Sequence, residues 1–159
     1  MIAAAVGMSR ATFFNYFPQK DLLLNELAAM RAERIKATFA EFRNSGDEFT
    51  LDSLLSLLLQ VCAENARISL ASKKLLLEAI FRQMMSGSLL TARDQVVVAI
   101  AEILAGIPGH KKSARQTAET IFSLFLATML EWLMRQDVPE SWLVKNMRAR
   151  FKLLLRGVQ

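Results

Sequence analysis

Ile2-Ala3-Ala4-Ala5-Val6-Gly7-Met8-Ser9-Arg10-Ala11-Thr12-Phe13-Phe14-Asn15-Tyr16-Phe17-Pro18-Gln19-Lys20 reads as a short helix, a turn and a second helix. Gly7 stands where a helix end favours a left-handed residue. Ser9 is placed to cap the helix that follows, and Pro18 stops it. At the angular step of an α-helix, Phe13, Phe14 and Phe17 share one arc. Ala11, Thr12, Asn15 and Tyr16 take the opposite arc, and Arg10 projects from the N-terminal end. The phenylalanines are suited to anchoring the helix. The opposite face is small and polar, as a major groove requires. Arg10 carries the donor fork that matches guanine O6 and N7. Thr12 and Tyr16 carry hydroxyls for phosphates, and Asn15 suits a base edge or a phosphate. Lys20 adds a point charge at the start of the next helix, where backbone N–H groups already favour phosphate. Spacing alone leaves a second reading open, an ordinary amphipathic helix capped by a serine.

Outward from this stretch, the chain of 159 residues reads as all-α. It is 53% hydrophobic, with a mean hydropathy of +0.26, and holds six Gly and three Pro. Apolar residues recur every three to four positions throughout. Val96-Val97-Val98 is a β-branched run inside a longer helical pattern. Helices are expected from about Gln19 to Arg43, 51–66, a serine cap at 69 or 72 to Met85, 89–105, Ser113–Gln136 and 140–156. Thr50 or Asp52 is the expected cap of the second of these. The breaks are Asn44-Ser45-Gly46-Asp47, Ser86-Gly87-Ser88, Gly106-Ile107-Pro108-Gly109 and Asp137-Val138-Pro139.

Charge separates the ends from the middle. Residues 1–20 carry Arg10 and Lys20 and no acid. Residues 21–144 hold 13 basic and 15 acidic side chains. Residues 145–159 hold Lys145, Arg148, Arg150, Lys152 and Arg156 and no acid, and these five read as the solvated face of a terminal helix. Apolar runs stay short of the ~18 residues of a membrane span, and the chain has no basic secretory start. A cytoplasmic, nucleoid-associated protein without a membrane partner is the expectation. Cys62, the one cysteine, has no internal disulfide partner and reads as a buried, inert thiol.

Nearly every position from Ile121 to Met134 is apolar. A helix apolar all round needs cover on all sides. One side can pack on the chain's own core; the other suits a second copy. Leu143, Met147, Phe151, Leu154 and Val158 add a stripe at 4-4-3-4 spacing on the last helix. Ile121, Leu124, Leu130, Trp132, Leu143, Met147, Phe151 and Leu154 are therefore the expected dimer interface, with a plain monomer core as the other reading.

Ile2-Ala3, Val6-Gly7, Ser9, Thr12-Phe13-Phe14, Tyr16-Phe17, Lys20 and Leu23-Leu24 together resemble the helix-turn-helix of the TetR family of bacterial transcriptional regulators. The resemblance covers residues 2–24. It implies a TetR-like all-α fold: an N-terminal helix-turn-helix domain over residues 1–28, then an antiparallel helical effector-binding and dimerisation domain over 29–159. The family's first helix precedes this pattern, so the head is read as truncated. Phe14 stands where the family commonly has tyrosine. The implied function is a ligand-responsive regulator, a repressor, that binds a palindromic double-stranded DNA operator as a homodimer. Ser9, Arg10, Ala11, Thr12, Asn15, Tyr16 and Lys20 would meet the DNA. An alternative is a dimeric ligand-binding or protein-interaction module without DNA binding.

For a small apolar or amphipathic effector, Leu58, Cys62, Phe81, Met84, Met85, Phe122, Phe125 and Met129 offer adaptable walls. Gln60, Gln83, Thr128 and Glu131 are the polar groups within reach. No catalytic constellation, metal-ligand spacing or phosphate-binding glycine loop appears, so the chain is read as no enzyme, with no metal and no cofactor. His110, beside a Gly/Pro turn, reads as a solvated loop residue.

Overall fold

The computed structural model describes Ser9 and residues 20–46, 48–69, 73–135 and 137–157, which form six helices and no strand. They are α1 (Lys20–Asn44), α2 (Leu51–Ser69), α3 (Lys73–Ser86), α4 (Ser88–Gly106), α5 (Ala114–Met134) and α6 (Glu140–Arg156). The all-α expectation holds for these residues, and the helix ends fall within a few residues of the pattern-based ones. The expected domain boundary at residue 28 falls inside the continuous helix α1.

Local chemistry explains the ends. At α2, the Ser53 amide donates to the Thr50 hydroxyl oxygen at 3.1 Å, and the Thr50 amide donates back to Ser53 Oγ at 2.9 Å. This reciprocal pair satisfies two amides that a helix start leaves open. Thr50, not Asp52, is the cap; Asp52 sits in the first turn, opposite Arg67 in the last. Gly87 alone separates α3 from α4, at φ 75°, a left-handed conformation that a side chain would resist. Ser113 makes no side-chain cap to α5; its hydroxyl donates to the His110 carbonyl at 3.3 Å.

Helix α5 is the hub, packing on α3, α4 and α6. It is the one described helix long and apolar enough to cross a membrane by length and composition. Its buried side holds Ala114, Thr117, Ala118, Ile121, Phe122, Thr128, Met129, Trp132 and Leu133. Helix α6 lies against α2 and α5, and α1 closes over α2, α3 and α4. The core joins Phe39 of α1, the Leu54–Val61 face and Cys62 of α2, Val97, Ile100, Ile103 and Leu104 of α4, and the inner faces of α5 and α6.

The segment between α1 and α2 is pinned to the end of α4. Phe42 and Phe49 stack with centroids 5.6 Å apart, and the Phe49 ring packs against Gly106, where a Cβ would stand 2.6 Å from Phe49 Cδ2. Ion pairs join neighbouring helices around this core: Arg34–Glu64 (α1–α2, 3.3 Å), Arg43–Glu102 (α1–α4), Arg93–Glu119 (α4–α5, 3.7 Å) and Arg67–Glu140 (α2–α6, 3.9 Å).

Two sequence expectations are corrected here. His110 is buried, at 8% exposure, and its Nδ1 has no hydrogen-bond partner among the described residues. The turns at 107–113 fold inward: the His110 amide donates to the Ile107 carbonyl at 3.2 Å, and Ile107 is itself buried. On α6, the fourth buried position is Leu155 and not Leu154, which is half-buried. The buried row runs at a constant four-residue step, Leu143, Met147, Phe151 and Leu155. Val158 lies outside the described residues.

Candidate functional site

Of the residues expected to meet DNA, Ser9 is exposed and lies outside any helix. Arg10, Ala11, Thr12, Asn15 and Tyr16 lie outside the described residues. Lys20 is the first residue of α1, so whatever precedes it feeds directly into a helix of 25 residues that reaches the core at Phe39.

The eight expected effector-contacting residues divide. Leu58 and Cys62 on α2 and Phe122 and Met129 on α5 are buried in one apolar cluster, with Phe125 half-buried against it. Phe81, Met84 and Met85 on α3 are instead on the surface, at 48%, 47% and 89% exposure. They are corrected to surface positions. On α3 the inward face goes to Ala79 and Ile80, and residues 81, 84 and 85 extend past the edge of that face.

The polar candidates divide as well. Gln60 is exposed and donates to Glu64 Oε1 at 3.1 Å. Thr128 is fully buried and donates to the Leu124 carbonyl at 2.7 Å. Arg150 of α6 donates Nη1 to Thr128 Oγ1 at 2.7 Å and Nη2 to Glu131 at 2.8 Å, and Glu131 also accepts from Arg135 at 2.8 Å. Thr128 and Glu131 therefore spend their polar atoms on the α5–α6 seam. One of the five C-terminal cations, Arg150, is thereby taken into an intramolecular network.

A second cluster gives no signal in the sequence. Lys73, at the start of α3, is buried. Its ammonium donates to the carbonyls of Arg135 at 3.0 Å and Val138 at 2.7 Å, and stands 4.2 Å from the centroid of the Trp132 ring. The Trp132 indole N–H is shared between the Val138 and Pro139 carbonyls, both at 3.2 Å. Arg135 covers the Trp142 ring at 5.2 Å. Burial lowers the Lys73 pKa, and the Asp137 carboxylate opposes that shift. The ammonium lies between carbonyl oxygens and an aromatic face, so it holds the α5–α6 connection in place. A lysine in sequence ordinarily reads as solvated, which is why this group escapes pattern reading.

Cys62 is fully buried, and burial pushes its thiol up to about 12. The nucleophilic form is the thiolate, so this thiol is inert at neutral pH. Among the described residues no group of three or more His, Cys, Asp or Glu side chains is placed to hold a metal.

No protein-family model, curated protein or solved structure matches the chain. The functional reading therefore rests on the residues and their arrangement.

The expected dimer contacts need correction. Ile121, Trp132, Leu143, Met147 and Phe151 are at most 1% exposed within one copy. They are packed in the core of their own chain and offer little to a second copy. Leu124, Leu130 and Leu154 are half-buried. The outward face of α5 carries Gln116, Thr120, Ser123, Ala127, Leu130 and Met134, small or uncharged side chains at three- and four-residue steps. Met134 is 61% exposed, and Leu153 on α6 is 74% exposed.

Proposed function

We propose that the chain is a ligand-responsive, DNA-binding transcriptional regulator of the TetR type, a repressor that acts as a homodimer. The observation that carries this reading is the sequence pattern of residues 2–24. It combines a turn glycine, a capping serine, an aromatic anchor, Thr12, Asn15 and Tyr16 on the arc away from that anchor, Arg10 at the N-terminal end of the same helix and Lys20 at the start of the next. The body supports it in three ways. The pattern runs straight into α1, whose far end is fastened to α4 through Arg43–Glu102 and the Phe42–Phe49–Gly106 contact. A shift of α4 then has one continuous helix, α1, through which to reach the DNA-facing segment. Leu58, Cys62, Phe122, Phe125 and Met129 gather in one apolar cluster, side chains of the kind that suit an apolar effector. The uncharged outward face of α5, with Leu153 beside it, supplies a surface that fits a second copy better than solvent.

The test is selection of random-sequence duplex DNA by the full chain. Recovery of an inverted repeat, lost on Arg10→Ala or Lys20→Ala and weakened by salt, is the expected result. Recovery of no sequence preference overturns the reading. The dimer is tested separately by light scattering. Ala127→Glu should convert a dimer to a monomer, and a monomeric starting protein at micromolar concentration removes the interface.

A further inference from the structure

The last helix carries a row of cations that the rest of the fold leaves unused. Lys145, Arg148, Lys152 and Arg156 are all exposed, and none makes an ion pair or hydrogen bond with another described residue. At 100° per residue they fall within about 80° of arc, and they extend over about 16 Å of helix. The fifth cation, Arg150, points elsewhere, into Thr128 and Glu131. The only acid on α6 is Glu140, in its first turn, and it is taken by Arg67. Elsewhere Arg34 and Arg43 of α1, Arg67 of α2, Arg93 of α4, Arg115 of α5 and Arg135 just after α5 have carboxylate partners. The helix dipole favours cations in the last turn only. It accounts for Arg156 and leaves Lys145 and Arg148, two to three turns earlier, without a partner.

We propose that this face of α6 is a second, sequence-independent binding surface for the phosphate backbone of duplex DNA, separate from the N-terminal motif. About 16 Å of duplex presents roughly nine phosphates, so a straight row of four cations meets anions in any register. The row holds only cations, which meet phosphates whatever the base sequence, and no aromatic rings on which single-stranded bases stack. A membrane fits less well. Helix α6 has turned its apolar row, Leu143, Met147, Phe151 and Leu155, into the core, so that row cannot enter a bilayer as surface-lying amphipathic helices require.

The surface is tested by fluorescence anisotropy of a random-sequence duplex with the full chain between 50 and 200 mM salt. Arg148→Gln/Lys152→Gln changes two exposed side chains, with folding checked by circular dichroism. It should weaken binding and reduce the salt slope by about 2. The same loss should appear when the pair is placed on an Arg10→Ala/Lys20→Ala background, which separates this surface from the proposed operator contact. Unchanged duplex affinity and slope in the α6 variant overturn the proposal. So does a loss confined to phosphatidylserine-containing vesicles, which assigns the row to a lipid surface instead.

Discussion

The seam of α5 and α6 and the tip of the α3–α4 hairpin are built from the same kinds of residue and end differently. At the seam, Trp132, Leu133, Leu143, Met147 and Phe151 are fully buried. At the tip, Phe81, Met84, Met85 and Leu90 are exposed. The seam has neighbours on both sides, because α6 lies against α2 as well as α5. Its buried polar groups are also paired: Thr128 with Arg150 and Leu124, Lys73 with two carbonyls. The tip is a one-residue turn at Gly87, where two helices part and the next layer is missing from one side. An apolar spacing shows which face can be buried. It does not show whether another helix is there to bury it.

The contrast is most sharply broken at Trp132. Trp132→Ala removes the largest fully buried side chain and uncovers Lys73. A loss of ~3–5 kcal/mol is expected, a large share of a typical ~5–15 kcal/mol total, and urea unfolding measures it. Lys73→Ala comes next. It leaves the Arg135 carbonyl without its ammonium donor and the Val138 carbonyl with the Trp132 indole N–H alone, at ~1–3 kcal/mol, and should loosen the α5–α6 connection in hydrogen exchange. Gly106→Ala forces Phe49 off its seat at the other end of the core. A cost of ~1–3 kcal/mol is expected, read from the shift in thermal midpoint. At the hairpin tip, Met85→Ser should change stability by less than ~0.5 kcal/mol and lower the binding of a hydrophobic dye. A loss as large as that of Trp132→Ala would show that the tip is covered after all.

Cys62 sharpens the same contrast through pH. Its folded pKa is about 12, against an ordinary value of 9.0. Between these values the unfolded thiol ionises while the folded one keeps its proton. The unfolded chain then binds fewer protons, and stability falls as pH rises through that window. Lys73, lowered by burial, acts in the opposite sense below its ordinary range. Cys62→Ala should therefore flatten the alkaline loss, which unfolding at pH 8 and pH 10.5 would show. Thiol labelling at neutral pH should be slow in the folded wild type and fast in denaturant.

Much of the body was legible in residues. The glycine and proline breaks, with a serine cap between α2 and α3, placed every described helix to within a few positions, because backbone punctuation is local. Thr50 was readable as a cap for the same reason. Phe81, Met84 and Met85 were not readable as surface, nor His110 as buried, because a neighbour distant in sequence decides exposure. The dimer expectation failed at Trp132 and Phe151 for a related reason. An apolar stripe looks the same whether its cover comes from α2 of the same chain or from another copy.

The sequence by itself determined the helical class of the described residues, the positions of their breaks, the inert setting of Cys62 and the pattern of residues 2–24. All of these follow from short-range geometry and side-chain chemistry. The tertiary structure alone decided that Lys73 clamps the α5–α6 connection, that Arg150 turns inward to Thr128 and Glu131, and that four other cations of α6 stay outside. Those outcomes depend on which helices meet, and burial and ion pairing are set only once they do.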